Sequence, residues 1–177
     1  MAEKVIQTDT RQQMKKNHHQ IKEQWFIDQG YKVIHSKMVV GDYCVPSRGS
    51  VAVDTKQNLS ELYNNLIQQH ERFRNECILA QECGIKLYVL VENEFGYIKP
   101  DDIKDWKNPQ MFRYFKARNA ALARGQKPPR QPASNVQLIK IMHSMSRDYG
   151  VEFLFCSTKD AGAKILELLG ETNINGE

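Results

Sequence analysis

The chain has 177 residues, 41% of them hydrophobic and 9% aromatic, with a formal net charge of +4. That length suits one compact α/β domain with a modest insertion or tail, and the apolar fraction suffices for a single core. No stretch approaches the roughly 20 apolar residues of a membrane span, and the polar N-terminus MAEKVIQTDTRQQ carries no targeting run, so no membrane contact is expected.

Val5 and Ile6 open a short strand that runs into Thr8-Asp9-Thr10. A polar helix follows, with Ile21, Trp25 and Phe26 at helical spacing on its expected buried face, and stops at Gly30. YKVIHSKMVV reads as extended until Gly41-Asp42 breaks it; Tyr43 to Val45 continue as strand, PSRGS turns the chain, and VAVDTK returns. The strongest helix runs from Leu59 to about Cys83, with Leu62, Leu66, Phe73, Cys77 and Ala80 on one stripe and Gly84 as terminator. IKLYVLVEN is a nearly unbroken apolar run, as in a strand buried on both faces, and VEFLFCS repeats that signature. Ala161 to Leu169 predicts a closing helix, and residues 171–177 read as a flexible tail. The predicted class is α/β: a central mixed sheet flanked by helices on both faces, in one domain over residues 1–170.

Charge is unevenly spread. Between residues 104 and 147 lie Lys104, Lys107, Arg113, Lys116, Arg118, Arg124, Lys127, Arg130, Lys140 and Arg147, against Asp105 as the one acid. The rest of the chain is net negative, so this basic insertion suggests a polyanion-facing surface. Its GQKPPRQPAS stretch is expected to be a loop. Phe112, Tyr114 and Phe115 are interleaved with the cations; they can stack on unpaired bases, although packing is expected of at least two of them. Lys15, Lys16, His18 and His19 extend the basic character from the first helix. Cys44, Cys77, Cys83 and Cys156 form neither a CxxC pair nor a metal-finger spacing and are expected to be reduced thiols.

The chemistry concentrates in V-A-V-D-T-K. Side chains alternate along a strand, so Ala52, Asp54 and Lys56 share one face. An acid and a lysine side by side fill a core poorly, but they hold a divalent cation beside a positive charge well. Hard cations such as Mg²⁺ take carboxylate oxygens plus waters, and the lysine can orient a water or stabilise charge on a phosphate. A second carboxylate must converge. Asp42 lies on the preceding strand, where Gly41 lets the backbone come close; Asp9 ends the first strand; Glu76 can approach from the long helix. Taken singly, each has an ordinary role: an exposed ion pair for Asp54 and Lys56, a turn for Asp42, a helix cap for Asp9, a solvated charge for Glu76.

Their order and spacing say more. Asp…Gly-Asp…Asp-x-Lys on strand, hairpin and strand resembles the PD-(D/E)XK nuclease superfamily, and more specifically the nuclease domain of the XPF family of structure-specific endonucleases. That family's Asp-x-Arg-Glu strand end is matched by Asp9-Thr10-Arg11-Gln12, its Gly-Asp-Tyr by Gly41-Asp42-Tyr43, and its Glu-Arg-Lys by Asp54-Thr55-Lys56. Arg72 and Glu76 in HERFRNE match its downstream helix, and IKLYVLVEN its apolar strand ending in Glu. The resemblance covers residues 4–93 well and 151–169 loosely. Asp54 stands for the usual Glu, Thr55 for Arg, Gln12 for Glu, and Ser60 where that family commonly has Asp.

The resemblance implies a restriction-endonuclease-like fold and Mg²⁺- or Mn²⁺-dependent cleavage of DNA, with flap, fork or junction DNA favoured. It implies Asp42, Asp54, the Thr55 carbonyl and Asp9 as metal ligands, and Lys56 as the residue that orients the water. Arg72 would clamp phosphate or brace the carboxylates, and Glu76 would support them or add a ligand. Arg11, Lys15, Lys16, His70, Arg74, Arg113, Lys116, Arg118, Arg124, Lys127 and Arg130 are the expected DNA contacts, with a homodimer and a cytoplasmic or nucleoid setting as further expectations. The alternative is a non-catalytic DNA-binding module that recruits a partner.

Overall fold

A computed structural model describes residues 4–11 and 17–171, with side chains of the first helix from His19 onward. Lys15, Lys16, Gln12 and residues 172–177 lie outside the described residues, as does the side chain of His18. The chain is α/β, with a six-stranded mixed sheet in the order β2-β1-β3-β4-β5-β6. The strands are β1 (Val5–Asp9), β2 (Lys32–Ser36), β3 (Tyr43–Cys44), β4 (Val51–Lys56), β5 (Lys86–Glu92) and β6 (Glu152–Cys156). β1 pairs parallel with β2, β4 with β5, and β5 with β6, whereas β3 pairs antiparallel with both β1 and β4. Five strands therefore run one way. The carboxyl ends of β1, β4 and β5 meet at one edge, where ligands of open α/β sheets usually bind.

Helices α2 (Leu59–Tyr63), α3 (His70–Glu82) and α5 (Asn135–Tyr149) cover one face; α1 (Asn17–Asp28) and α6 (Ala161–Leu168) cover the other. On the first face Leu62, Leu66, Phe73, Cys77, Leu138 and Met142 pack on Ala52, Val89, Val91 and Phe153. On the second, Phe26, Ile165 and Leu166 pack on Ile6, Tyr43, Val53 and Leu90. β5 is buried on both faces, as its composition predicts. All four cysteines are free thiols. No helix among the described residues is long and apolar enough to cross a membrane.

Several expectations need correction. Ile21 is 61% exposed, and the inward face of α1 carries His19, Lys22 and Phe26 instead. Two polar residues can occupy that face because each finds a partner there: His19 Nδ1 lies 3.4 Å from the Tyr43 hydroxyl, and Lys22 is ion-paired with Glu92. The long helix expected over 59–83 is broken. Asn64–Gln68 winds as a π-helix, with Gln69 N–H donating to the Asn64 carbonyl five residues back (2.9 Å), and the chain kinks at Gln69 before α3. The buried stripe survives this break. Glu171 is not frayed, since it accepts the Tyr31 hydroxyl at 3.1 Å and lies 3.7 Å from Arg48.

The basic segment is mostly helical. After a 3₁₀ turn at Pro100–Asp105 come α4 (Pro109–Ala123), an irregular stretch that includes GQKPPRQPAS as expected, and α5. α5 begins with a capping box at Ser134 and Gln137 and ends at Gly150 in the left-handed conformation. It completes the core. α4 has no fully buried residue: Phe112 is 75% exposed, while Phe115, 49% exposed, packs only on the half-buried Tyr114 ring of its own helix, 5.4 Å between centroids.

Candidate active site

The site is assembled by the backbone of Asp42. Its N–H donates to the Val53 carbonyl (2.9 Å), and its carbonyl accepts the Asp9 N–H (2.9 Å), so this residue ties β1 to β4 just before β3 begins. Gly41 makes the approach feasible. It adopts φ +71, and a Cβ there would lie 3.2 Å from both the Ala52 Cβ and the Val53 carbonyl oxygen. Both the glycine and the small Ala52 are thus required by one close passage of the backbone. Asp9, Asp42, Asp54 and Lys56 line one open cleft of about 670 Å³ at the sheet edge, together with Arg11, Glu76 and Arg72.

Asp54 and Lys56 lie on the same face of β4, 6% and 7% exposed, and their charged ends are 2.6 Å apart. The Lys56 ammonium also sits 5.8 Å from the centre of the Phe73 ring. Asp42 is held by Thr55: its Oδ2 accepts both the Thr55 N–H (2.8 Å) and the Thr55 hydroxyl (2.7 Å). N–H and C=O of one strand residue leave on the same side, so the Thr55 carbonyl faces the Asp42 edge as well. From α3, Glu76 Oε1 accepts the Gly41 N–H at 3.0 Å, which carries its carboxylate to the same cleft.

Burial pushes the Asp54 carboxyl up to about 7; Asp42 and Glu76 push it the same way, while Lys56 opposes them. For Lys56, burial works against the charge, but Asp54 and Asp42 outweigh it and the ammonium is held more firmly than usual. These tendencies conflict, because Lys56 is stabilised by an ionised Asp54. The 2.6 Å contact favours the ion pair, so Lys56 is the firmly charged partner and the proton on Asp54 is the contested one. Added positive charge in this cleft would resolve the conflict.

Not every expected residue has the expected surroundings. Asp9 is buried but engaged: Oδ1 accepts the Arg11 N–H (2.8 Å) and Oδ2 the Arg11 Nε (2.8 Å). Arg11 is anchored further by the Met38 carbonyl (2.9 Å). Arg72 lines the cleft but donates to Gln69 Oε1 at 3.5 Å, and among the described residues it braces no carboxylate. His70 and Arg74 fall on the other flank of α3, beside α5. There His70 Nδ1 lies 3.0 Å from the Leu66 carbonyl and Arg74 Nε donates to the Tyr149 hydroxyl at 2.6 Å, so neither lines the cleft that holds Asp54 and Lys56. Within α3 these two residues sit two positions before Arg72 and Glu76, about half a turn round the helix, so they take the opposite flank. Arg113, Lys116, Arg118, Arg124, Lys127 and Arg130 are exposed and none lines the cleft.

Other lining residues were not legible beforehand. Asn64, Asn65, Gln69 and Asn75 form an amide-rich wall, and His19 reaches the cleft from α1. The π turn that presents the first three has no simple signature in sequence.

Among the described residues, no group of three His, Cys, Asp or Glu side chains is arranged to enclose a metal ion. Mg²⁺ needs only one or two protein carboxylates, with waters completing its shell. The donor set fits such a cation: Asp54 is a buried carboxylate under repulsion from Asp42 and Glu76, and the Thr55 carbonyl supplies a further hard oxygen. No protein-family model matches this chain, and no curated protein is similar enough to match it.

Proposed function

We propose that this chain is a divalent-metal-dependent endodeoxyribonuclease of the PD-(D/E)XK type, related to the XPF-family nuclease domain. The observation that carries this reading is the Asp54–Lys56 pair, buried on one strand face and open to a cleft that Asp42 and Glu76 also enter. A structural ion pair has no need of two further carboxylates that raise the energy of its acid.

In this reading Asp42, Asp54 and the Thr55 carbonyl would hold Mg²⁺ or Mn²⁺, which when bound would supply positive charge at the phosphate and lower the pKa of a water. Thr55 fixes the rotamer of Asp42, so that ligand is preorganised. Lys56 orients the water and, as an ammonium, offsets the charge that builds on the phosphate oxygens as the water attacks phosphorus in line. The water's proton passes to solvent, and the departing oxygen is protonated from solvent. Glu76 holds the Gly41 backbone and keeps the hairpin closed against the cleft. Asp9 is a further ligand only after Arg11 releases it. The basic insertion grips the DNA away from the chemistry, and branched or single-strand-containing DNA is the favoured substrate.

The test is cleavage of labelled single strand, duplex, flap, fork and four-way junction in Mn²⁺, Mg²⁺ or EDTA, beside Lys56→Ala. Cutting is expected to need metal and to fall about 10²–10³-fold in the variant, the scale of losing one preorganised charge-stabilising group. Metal-independent cutting, or full activity in Lys56→Ala, would refute the reading. Binding without cutting would favour the non-catalytic module.

A further inference from the structure

α4 is the anomaly of the fold. It is 15 residues long, has Pro109 in its first turn and Asn108 capping Gln110 N–H, and yet buries nothing. Phe112, Phe115 and Leu122, spaced along one side, are 75%, 49% and 50% exposed. Such a stripe of large apolar side chains in water costs free energy unless something covers it. Beside its first turn runs a groove of about 710 Å³, with Trp106, Met111, Phe112 and Phe115 along it and Lys104 and Lys107 on its rim. It shares no lining residue with the catalytic cleft.

We infer that this groove is a second nucleic-acid site, which holds an unpaired DNA strand by stacking bases on Phe112 and Phe115 while the surrounding cations pair with its phosphates. The inference rests on the DNA-cutting reading for the identity of the polymer. Three observations favour this occupant. Phe112 is the most exposed large apolar side chain on this helix, and Phe115, half exposed, is backed by the Tyr114 ring at 5.4 Å between centroids. Arg113, Lys116 and Arg118 on the same helix are all exposed, giving a backbone-tracking charge beside a stacking surface. A second copy of the chain seated here would bring two like-charged basic patches together, which disfavours self-association through this face. A duplex offers its phosphates but no free base faces, so only unpaired nucleotides use both features.

The experiment uses the full chain in EDTA, where no metal-dependent cutting occurs, and follows a fluorescein-labelled oligothymidylate and a blunt hairpin duplex by anisotropy. Phe112→Ala/Phe115→Ala should weaken single-strand binding about tenfold or more, the scale of losing a stacked base, with duplex binding little changed. Phe112→Trp should retain it. Because both phenylalanines are exposed, melting of the double variant should match the parent and show that the fold is kept. Equal single-strand binding by parent and double variant would overturn the inference. So would a concentration-dependent doubling of mass by sedimentation that the double variant abolishes while DNA binding persists, which would assign the face to a second copy. Cleavage does not enter the readout, so failure of the nuclease reading and failure of this groove are separately visible.

Discussion

Two buried lysine–carboxylate pairs lie on opposite faces of the same sheet. Lys56 and Asp54 are neighbours on β4, below α3; Lys22 reaches from α1 to Glu92 at the end of β5. Both pairs are nearly inaccessible, and burial raises the carboxyl of each. They differ in company. Lys22 and Thr158 favour the charge on Glu92, with the repulsion of Glu61 the smallest influence, whereas Asp54 faces both Asp42 and Glu76 and opens to a cleft. The same chemical pair thus locks α1 to the sheet in one place and forms an electrostatically strained centre in the other. Burial of an ion pair alone is therefore a poor marker of function; extra like charge beside it is the better one.

The largest expected effect separates the two pairs directly. Lys22→Met strands a buried carboxylate and should cost about 3–5 kcal/mol in chemical denaturation, with cleavage per folded molecule preserved. Lys56→Met should do the reverse, lowering cleavage about 10²–10³-fold for a clearly smaller stability loss, because Asp54 is already poised to accept a proton. Equal destabilisation with equal loss of activity would erase the distinction.

Metal sharpens it next. At about a hundred times its Kd, Mn²⁺ should add roughly 2.7 kcal/mol, seen as a rise of several degrees in Tm. The rise should persist in Lys22→Met and vanish in Asp42→Ala or Asp54→Asn. A metal-induced rise that survives in both acid variants would place the cation elsewhere.

Acidity gives a subtler contrast. A carboxyl whose folded pKa exceeds its unfolded value binds more protons in the native state, so its contribution to stability falls as pH rises. Without metal, the parent should lose stability between about pH 4 and about pH 7 from Asp54, and Asp54→Asn should flatten that part of the profile. An unchanged slope in a pH series of urea melts would mean that Asp54 stays ionised throughout.

The smallest expected change is at Thr55. Thr55→Val deletes the hydroxyl donor to Asp42 but keeps the N–H, so one of two bonds to a charged group is lost. Cleavage should fall about tenfold, in keeping with the roughly 1.5–3 kcal/mol of such a bond, and Thr55→Ser should restore most of it. Parity of valine and threonine would show that the backbone donor suffices.

Much of the site was legible in sequence because strand alternation is a local rule. Asp54 and Lys56 had to share a face of β4, and Gly41 before Asp42 announced a close backbone approach that the contact with Ala52 bears out. Glu76 sits one turn beyond Arg72 on a helix whose stripe was equally clear. What failed were inferences about which side of a helix faces what. Ile21 is exposed because Lys22 and His19 have partners on the sheet; His70 and Arg74 point away because they lie about half a turn round α3 from Arg72 and Glu76. Helix α4 was invisible as an outlier, since its Phe-rich stripe predicts burial just as a packed helix would.

The sequence by itself determined the strands, the α/β class, the buried stripe of α2 and α3, and the set of acids and lysine that converge, because periodicity and glycine geometry act over a few residues. Only the tertiary structure decided that Asp42 bridges β1 and β4, that Thr55 rather than a neighbouring helix holds its carboxylate, and that Arg11 claims Asp9. It alone decided as well that Lys22 finds Glu92, 70 positions along the chain, and that the described residues leave Phe112 75% exposed. These outcomes depend on distances between segments far apart in sequence, set by sheet order and by which helix lands on which face.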